Sequence, residues 1–154
     1  MTVLCACVAE TTVVDICDLS FAHHQQLQRG YLRTSFYPQP YSNSVDCVRN
    51  LTSRIIGDGQ IRLFVVDLQL ETSGGVGCAD WLRVFDGLKD VTLCGRRARR
   101  RLATSAWQWL QVRFHSDRQH RRKGFWLYYD GTQIITIIFV EKFGKRLLRG
   151  RSIG

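Results

Sequence analysis

The chain has 154 residues, 45% hydrophobic and 23% charged, enough to bury one core of ordinary domain size and unlike the composition of a disordered chain. Two prolines and 13 glycines exclude a collagen-like or proline-rich chain, and no apolar run approaches the roughly 18 residues of a membrane-spanning helix. Lys and Arg outnumber Asp and Glu by 22 to 13, a net charge of +9, which favours polyanionic partners such as nucleic acid, sulfated glycan or an acidic membrane face.

Residues 1–16 are mildly apolar and lack a basic n-region. This flank reads as a truncated signal or a linker rather than a cleavable signal peptide. From Cys17 onward the pattern is strands. Ile61, Leu63 and Val65 alternate, then Val66, Leu68 and Leu70 alternate in the opposite phase. That phase change predicts a bulge or a strand buried on both faces. Trp81–Phe85 reads as a short strand ended by the turn signal Asp86-Gly87. Leu110, Val112 and Phe114 alternate against Gln111 and Arg113, and Phe125, Leu127 and Tyr129 against Trp126 and Tyr128. No window holds a 3.6-residue apolar period of helical length. Short strands between polar turns predict an all-β antiparallel sandwich or barrel. After Tyr129, the β-branched run Ile134–Val140 leads into Lys142, Lys145, Arg146, Arg149 and Arg151. This basic tail reads as an extra strand or disordered end, or else as a membrane-surface segment.

The six cysteines are Cys5, Cys7, Cys17, Cys47, Cys78 and Cys94. No C-x-x-C pair occurs. His115 and His120 have the spacing of one zinc knuckle but no cysteine knuckle accompanies them, which disfavours zinc. The long gaps from Cys17 to Cys47 and from Cys78 to Cys94 read better as two loop-closing disulfides, each contributing about 3 kcal/mol. The alternative is six buried thiols of a cytosolic protein. The sequon Asn50-Leu51-Thr52 tilts weakly toward secretion and marks Asn50 as a glycosylation candidate.

Several landmarks then fall in order. Tyr37-Pro38-Gln39-Pro40-Tyr41 is followed by Cys47, and Glu71 by Cys78-Ala79-Asp80-Trp81-Leu82-Arg83-Val84-Phe85-Asp86-Gly87. Leu93-Cys94-Gly95 comes next, then Leu110-Gln111-Val112-Arg113-Phe114-His115-Ser116-Asp117 and Gly124-Phe125. Over residues 17–129 this order resembles the CUB domain, an extracellular, jelly-roll-like β-sandwich module. Residues 1–16 and 130–154 are then flanks. The pattern departs at Thr34-Ser35 (usually Ser-Pro), at Arg49 (usually aromatic) and at Ala79 (usually Tyr). The resemblance implies the disulfides Cys17–Cys47 and Cys78–Cys94, leaving Cys5 and Cys7 over. It also implies a calcium site at Tyr41, Glu71, Asp80 and Asp117. Calcium takes six to eight oxygen ligands, and converging carboxylates repel one another unless a cation neutralises them. In the family such a site recruits a Lys or Arg of a protein partner, here by analogy to Glu71 and Asp117.

Two basic runs remain: Arg96, Arg97, Arg99, Arg100 and Arg101, then Arg118, Arg121, Arg122 and Lys123. Both are expected to be exposed loops. They read as solvated charge or as a polyanion site for sulfated glycan, since guanidinium forks suit sulfate. Arg97-Ala98-Arg99-Arg100 also has the R-x-R-R form of a processing site. No nucleic-acid-binding signature occurs, and Trp107, Trp109, Trp126 and Tyr128 read as strand residues of the core or a sheet face rather than a base-stacking platform. No nucleophile, zincin or phosphate-loop motif occurs, so the chain is not expected to be an enzyme. The expectation is an extracellular calcium-dependent protein-binding module, secreted or in the ectodomain of a membrane protein, and part of or derived from a larger modular protein. The alternative is a sulfated-glycan or matrix-binding domain.

Overall fold

The computed structural model describes residues 12–18, 24–26, 29–53, 59–105 and 107–131. Every regular element among them is a strand. In chain order these are β1 (Thr12–Asp15), β2 (His24–Gln26), β3 (Arg29–Arg33), β4 (Asp46–Thr52), β5 (Arg62–Leu70) and β6 (Thr72–Ser73). There follow β7 (Gly77–Cys78), β8 (Trp81–Phe85), β9 (Asp90–Leu93), β10 (Gly95–Thr104), β11 (Trp109–His115) and β12 (Gly124–Asp130). Two five-stranded sheets, β1-β3-β12-β5-β10 and β2-β4-β11-β8-β9, make the expected sandwich, and β6-β7 is a separate hairpin. All pairs are antiparallel except β1–β3 and β2–β4.

Period-two alternation places the core between the sheets. Leu82 and Val84 of β8, Leu110, Val112 and Phe114 of β11, and Phe125, Leu127 and Tyr129 of β12 are all buried. Each such side chain contributes about 1.5–3 kcal/mol when fully removed from water. Tyr41 meets Phe114 edge-on at 5.2 Å, and Phe114 meets Phe125 edge-on at 5.5 Å. This stack joins the two sheets and carries the core to the end of the sandwich where Tyr41 sits.

The phase change in β5 is a bulge. Leu63, Val65, Leu68 and Leu70 face inward while Val66 is exposed. Trp126 pairs with Asp67 and Leu127 with Val65, so Val66 is the extra residue. Asp86 ends the β8–β9 hairpin as its turn signal indicates, its Oδ1 accepting the Leu88 and Lys89 amides at 2.9 and 2.7 Å.

The disulfides Cys17–Cys47 and Cys78–Cys94 are both formed, which removes the buried-thiol reading for these four cysteines. Cys5, Cys7 and the 132–154 tail lie outside the described residues. The sandwich begins upstream of Cys17, because β1 pairs with β3 and both Val14 and Ile16 are buried. Arg49, at a position usually aromatic in the resembling family, points inward and donates to the Asp15 carbonyl at 3.2 Å. Gly124 enters β12 at φ +92°, and a Cβ there would lie 1.9 Å from Thr34 Oγ1.

One expectation is corrected. Arg96–Arg101 do not form a loop; they lie in β10, the edge strand beside β5. Pairing with β5 supplies the backbone bonds that a charged run does not by itself signal. An R-x-R-R segment paired in this way must leave the sheet before a protease can take it. The run 118–123 is a loop, as expected. The tryptophans divide: Trp109 and Trp126 lie on outer sheet faces, whereas Trp107 precedes β11, 58% exposed, with its indole against Gly87.

Candidate metal centre

Four connections meet at one end of the sandwich. Tyr41 lies between β3 and β4, Glu71 just after β5, Asp80 between β7 and β8, and Asp117 just after β11. Carboxylate oxygens of Glu71, Asp80 and Asp117 all lie within 4.8 Å of one another. Asp80 is fully buried. Its Oδ1 accepts the Asp117 amide at 2.8 Å, and its Oδ2 accepts the Tyr41 hydroxyl. That hydroxyl in turn accepts the Glu71 amide at 3.3 Å. Burial, then the bond to Asp80, pushes the Tyr41 phenol far above its ordinary pKa, so it stays a neutral donor. Tyr41 therefore ties Glu71 to Asp80, and Asp80 ties Asp117 to both.

The loops are held from below as well. Ser44 donates its amide to the Asp117 carbonyl at 2.6 Å, and Ser116 Oγ donates to the Ser42 carbonyl at 2.7 Å. Asp117 Oδ1 accepts the Gln119 amide at 2.7 Å, and Asn43 Nδ2 donates to the Arg118 carbonyl at 3.0 Å.

The donors are hard oxygens, which is the set calcium selects. Glu71 Oε2 is buried and accepts no hydrogen bond from the described residues. A carboxylate oxygen so placed beside two further carboxylates is stabilised by a cation. The residues therefore fit calcium.

Sequence reasoning missed several contacts. His120 Nδ1 lies 3.0 Å from Glu71 Oε1, so the basic loop reaches back onto the acidic cluster. Lys123 is ion-paired with Asp67 and sits 5.8 Å over the Tyr37 ring, while Tyr37 donates to Asp67 at 2.6 Å. Burial and then the Asp67 bond push the Tyr37 phenol up to about 12. For Asp67, burial acts upward, but the bonds from Lys123 and Tyr37 outweigh it and hold the carboxyl below its ordinary range. On the second sheet's outer face, Arg113 grips Asp46 with two bonds of 2.8 and 2.6 Å, which lowers the Asp46 pKa. Beside it, His115 stacks on Trp81 at 5.1 Å, and Arg83 and Arg113 flank the same indole. Apart from Arg83 and Trp81, both on β8, these partners are distant in sequence, and strand register and loop placement bring them together.

The polyanion candidates fare differently. Arg96, Arg97, Arg99, Arg100 and Arg101 are exposed, and none is in an ion pair with a described carboxylate. Arg118, Arg121 and Arg122 are exposed loop residues, while Lys123 is committed to Asp67. Asn50 lies on β4 rather than a loop, its Oδ1 accepting Gln111 Nε2 at 3.2 Å.

The architecture is a two-sheet, disulfide-closed sandwich with an oxygen-rich cluster at one end. The CUB domain family model matches residues 17–129, and the chain belongs to that family. Solved structures similar to it include the full extracellular region of zebrafish Gpr126/Adgrg6, at 23% identity and a TM-score of 0.64, covering 76% of this chain and 15% of that one. The human MASP-1/3 CUB1-EGF-CUB2 domain is similar at 22% identity and a TM-score of 0.64, over 79% and 44%. A MASP-1 CUB2 domain bound to Ca2+ is similar at 22% identity and a TM-score of 0.61, over 70% and 96%. The chain thus spans less than half of the first two of these structures. No helix among the described residues is long and apolar enough to cross a membrane.

Proposed function

We propose that this chain is an extracellular, calcium-dependent protein-binding module, carried by a secreted protein or by the ectodomain of a membrane protein. The observation that carries this reading is the cluster of Glu71, Asp80 and Asp117 with its buried, unpartnered Glu71 oxygen. Glu71, Asp80 and Asp117 supply the carboxylates, and Tyr41 holds two of them in place. Calcium, when bound, supplies the positive charge that offsets their mutual repulsion. Glu71 and Asp117 then remain at the rim, both half-buried, to accept a Lys or Arg side chain of a protein partner through charge-assisted bonds. No reaction is catalysed. Calorimetric titration of the chain with calcium tests the reading, paired with binding to an immobilised lysine-rich peptide in calcium and in chelator. The expected result is calcium binding that Glu71→Gln and Asp117→Asn weaken, and peptide retention only in calcium. Wild-type protein that takes up no calcium at millimolar concentration overturns it.

A second reading, sulfated-glycan binding through the arginines, is favoured by one observation. The β10 arginines are exposed on a sheet edge with no ion-paired carboxylate among the described residues. Retention on heparin that falls with salt is the expected result; elution with the void volume at low salt overturns it.

A further inference from the structure

The outward face of an antiparallel sheet is normally polar. The outer face of the first sheet carries, among polar residues such as Asp67, Gln69 and Arg62, a row of aromatic rings. Strand register aligns Arg101 with Phe64, Phe64 with Tyr128, Tyr128 with Tyr31, and Tyr31 with Val13. This row crosses all five strands of the sheet. Its rings touch in sequence: Phe64 to Tyr128 at 6.0 Å and Tyr128 to Tyr31 at 5.3 Å. Trp126 extends the band from Tyr31 at 5.4 Å to Tyr37 at a further 5.4 Å. These rings are half-buried, with Lys123 over Tyr37, and Val13 is 43% exposed, so the band is partly open to solvent. A contiguous apolar band of this kind marks a binding surface.

Its surroundings are mainly basic, and the one carboxylate register-paired with a ring of the band, Asp67 opposite Trp126, is ion-paired with Lys123. Residues paired across strands share a face. Arg96 pairs with Gln69 and Arg101 with Phe64, so both lie on this outer face. Arg97 pairs with Leu68 and Arg100 with Val65, both core residues, so these two arginines point to the other side. On the far side of the band, Arg33 pairs with Trp126 and donates Nη1 to the Tyr37 carbonyl at 3.2 Å. Flat aromatic surface between guanidinium groups suits a ligand with flat apolar faces and anionic rims. A sulfated sugar chain has both: ring C–H faces for the aromatics, and sulfate or carboxylate oxygens for the guanidinium forks. At about 4.8 Å per strand, the stretch from Arg101 to Tyr31 spans roughly 14 Å, the reach of a short oligosaccharide.

We infer that this face, with Arg96 and Arg101 at its border, is an oligosaccharide-binding site for sulfated glycan. The inference rests on the second reading above and gives it a place and a mode of contact. It separates two charge-matched variants that a general electrostatic attraction treats alike. Arg96→Ser/Arg101→Ser removes two arginines from the face, and Arg97→Ser/Arg100→Ser removes two from the opposite side. The test is calorimetric titration with a size-defined heparin oligosaccharide at physiological salt. The face pair is expected to weaken binding by about tenfold, and the opposite pair far less. Tyr31→Leu/Tyr128→Leu, which keeps apolar volume but removes the flat rings, is expected to weaken it by about tenfold as well. Thermal melts check that each variant is folded, and ring-proton shifts of Tyr31 and Tyr128 in the wild type report contact without any mutation. No heparin binding by the wild type overturns both the second reading and this site. Binding that both arginine pairs weaken equally, with unmoved tyrosine rings, leaves the second reading and overturns this site. A concentration-dependent dimer that Tyr31→Leu/Tyr128→Leu abolishes makes the face a self-interface and also overturns it.

Discussion

Replacing Asp80 by Asn separates the structural role of this carboxylate from its ionic one. Asp80 is fully buried and accepts two hydrogen bonds, from the Asp117 amide and the Tyr41 hydroxyl. The amide oxygen of Asn retains the first. Its nitrogen then faces the Tyr41 hydroxyl, and a charge-assisted bond is lost, a cost of about 1.5–3 kcal/mol. Against this stands the repulsion among carboxylates. At the 4.8 Å limit of the cluster and an effective dielectric of about 20, each pair of charges repels by about 3.5 kcal/mol. Removing the Asp80 charge deletes two of the three pairs. Without calcium the Asp80→Asn variant is therefore expected to be at least as stable as the wild type. With calcium the difference narrows, because only the wild type gains the full contribution of the ion. A ligand at about one hundred times its dissociation constant adds about 2.7 kcal/mol to the wild type, a rise of roughly 10 °C in melting temperature for a domain of this size. The variant loses most of that rise. The assay is thermal unfolding followed by circular dichroism, in chelator and in excess calcium. An Asp80→Asn protein markedly less stable than wild type in chelator, or one with an undiminished calcium response, refutes the reasoning.

Three further outcomes are expected. Gly124→Ala places a Cβ against Thr34 at a positive φ and is expected to destabilise the chain by about 2 kcal/mol or more, read from the urea midpoint; a change within about 0.5 kcal/mol of zero, the usual range for a surface substitution, contradicts this. Replacing Cys78 and Cys94 together by Ser opens a loop of separation 16 and is expected to lower stability by about 3 kcal/mol, again by urea unfolding; an unchanged midpoint contradicts it. The pair Tyr37–Asp67 is expected to act at both ends of the pH scale. Asp67 is depressed in the folded state, so its contribution is present above the ordinary carboxylate pKa and fades as pH falls through the lower folded value. Tyr37 is raised, so its contribution is present below its unfolded pKa of about 10 and fades as pH rises toward about 12. Phenolate absorbance of the wild type minus Tyr37→Phe measures the second; a midpoint near the unperturbed value contradicts the burial and Asp67 contacts.

Much of the fold was legible in the chain because period-two alternation is a local signal. β8, β11 and β12 stand where Leu82–Val84, Leu110–Phe114 and Phe125–Tyr129 indicate, and the bulge at Val66 stands where the phase breaks. The candidate metal residues were legible only through the family pattern. Glu71, Asp80 and Asp117 are far apart in sequence, and no spacing rule brings them together. β10 was not legible as a strand, because five arginines carry no alternation. Its backbone is satisfied by β5, and charged side chains suit an unpaired outer edge.

The +9 charge and the all-strand pattern were thus determined by sequence alone, since composition and short-range periodicity set them, whereas the pairings Cys17–Cys47 and Cys78–Cys94 were implied by the family pattern and are formed in the fold. Tertiary structure decided which charges stand free. It pairs Lys123 with Asp67, brings His120 to Glu71, and leaves Arg96 and Arg101 beside an aromatic band. The physical reason is register: residues meet across strands and loops according to backbone hydrogen bonding, at separations along the chain that no local pattern encodes.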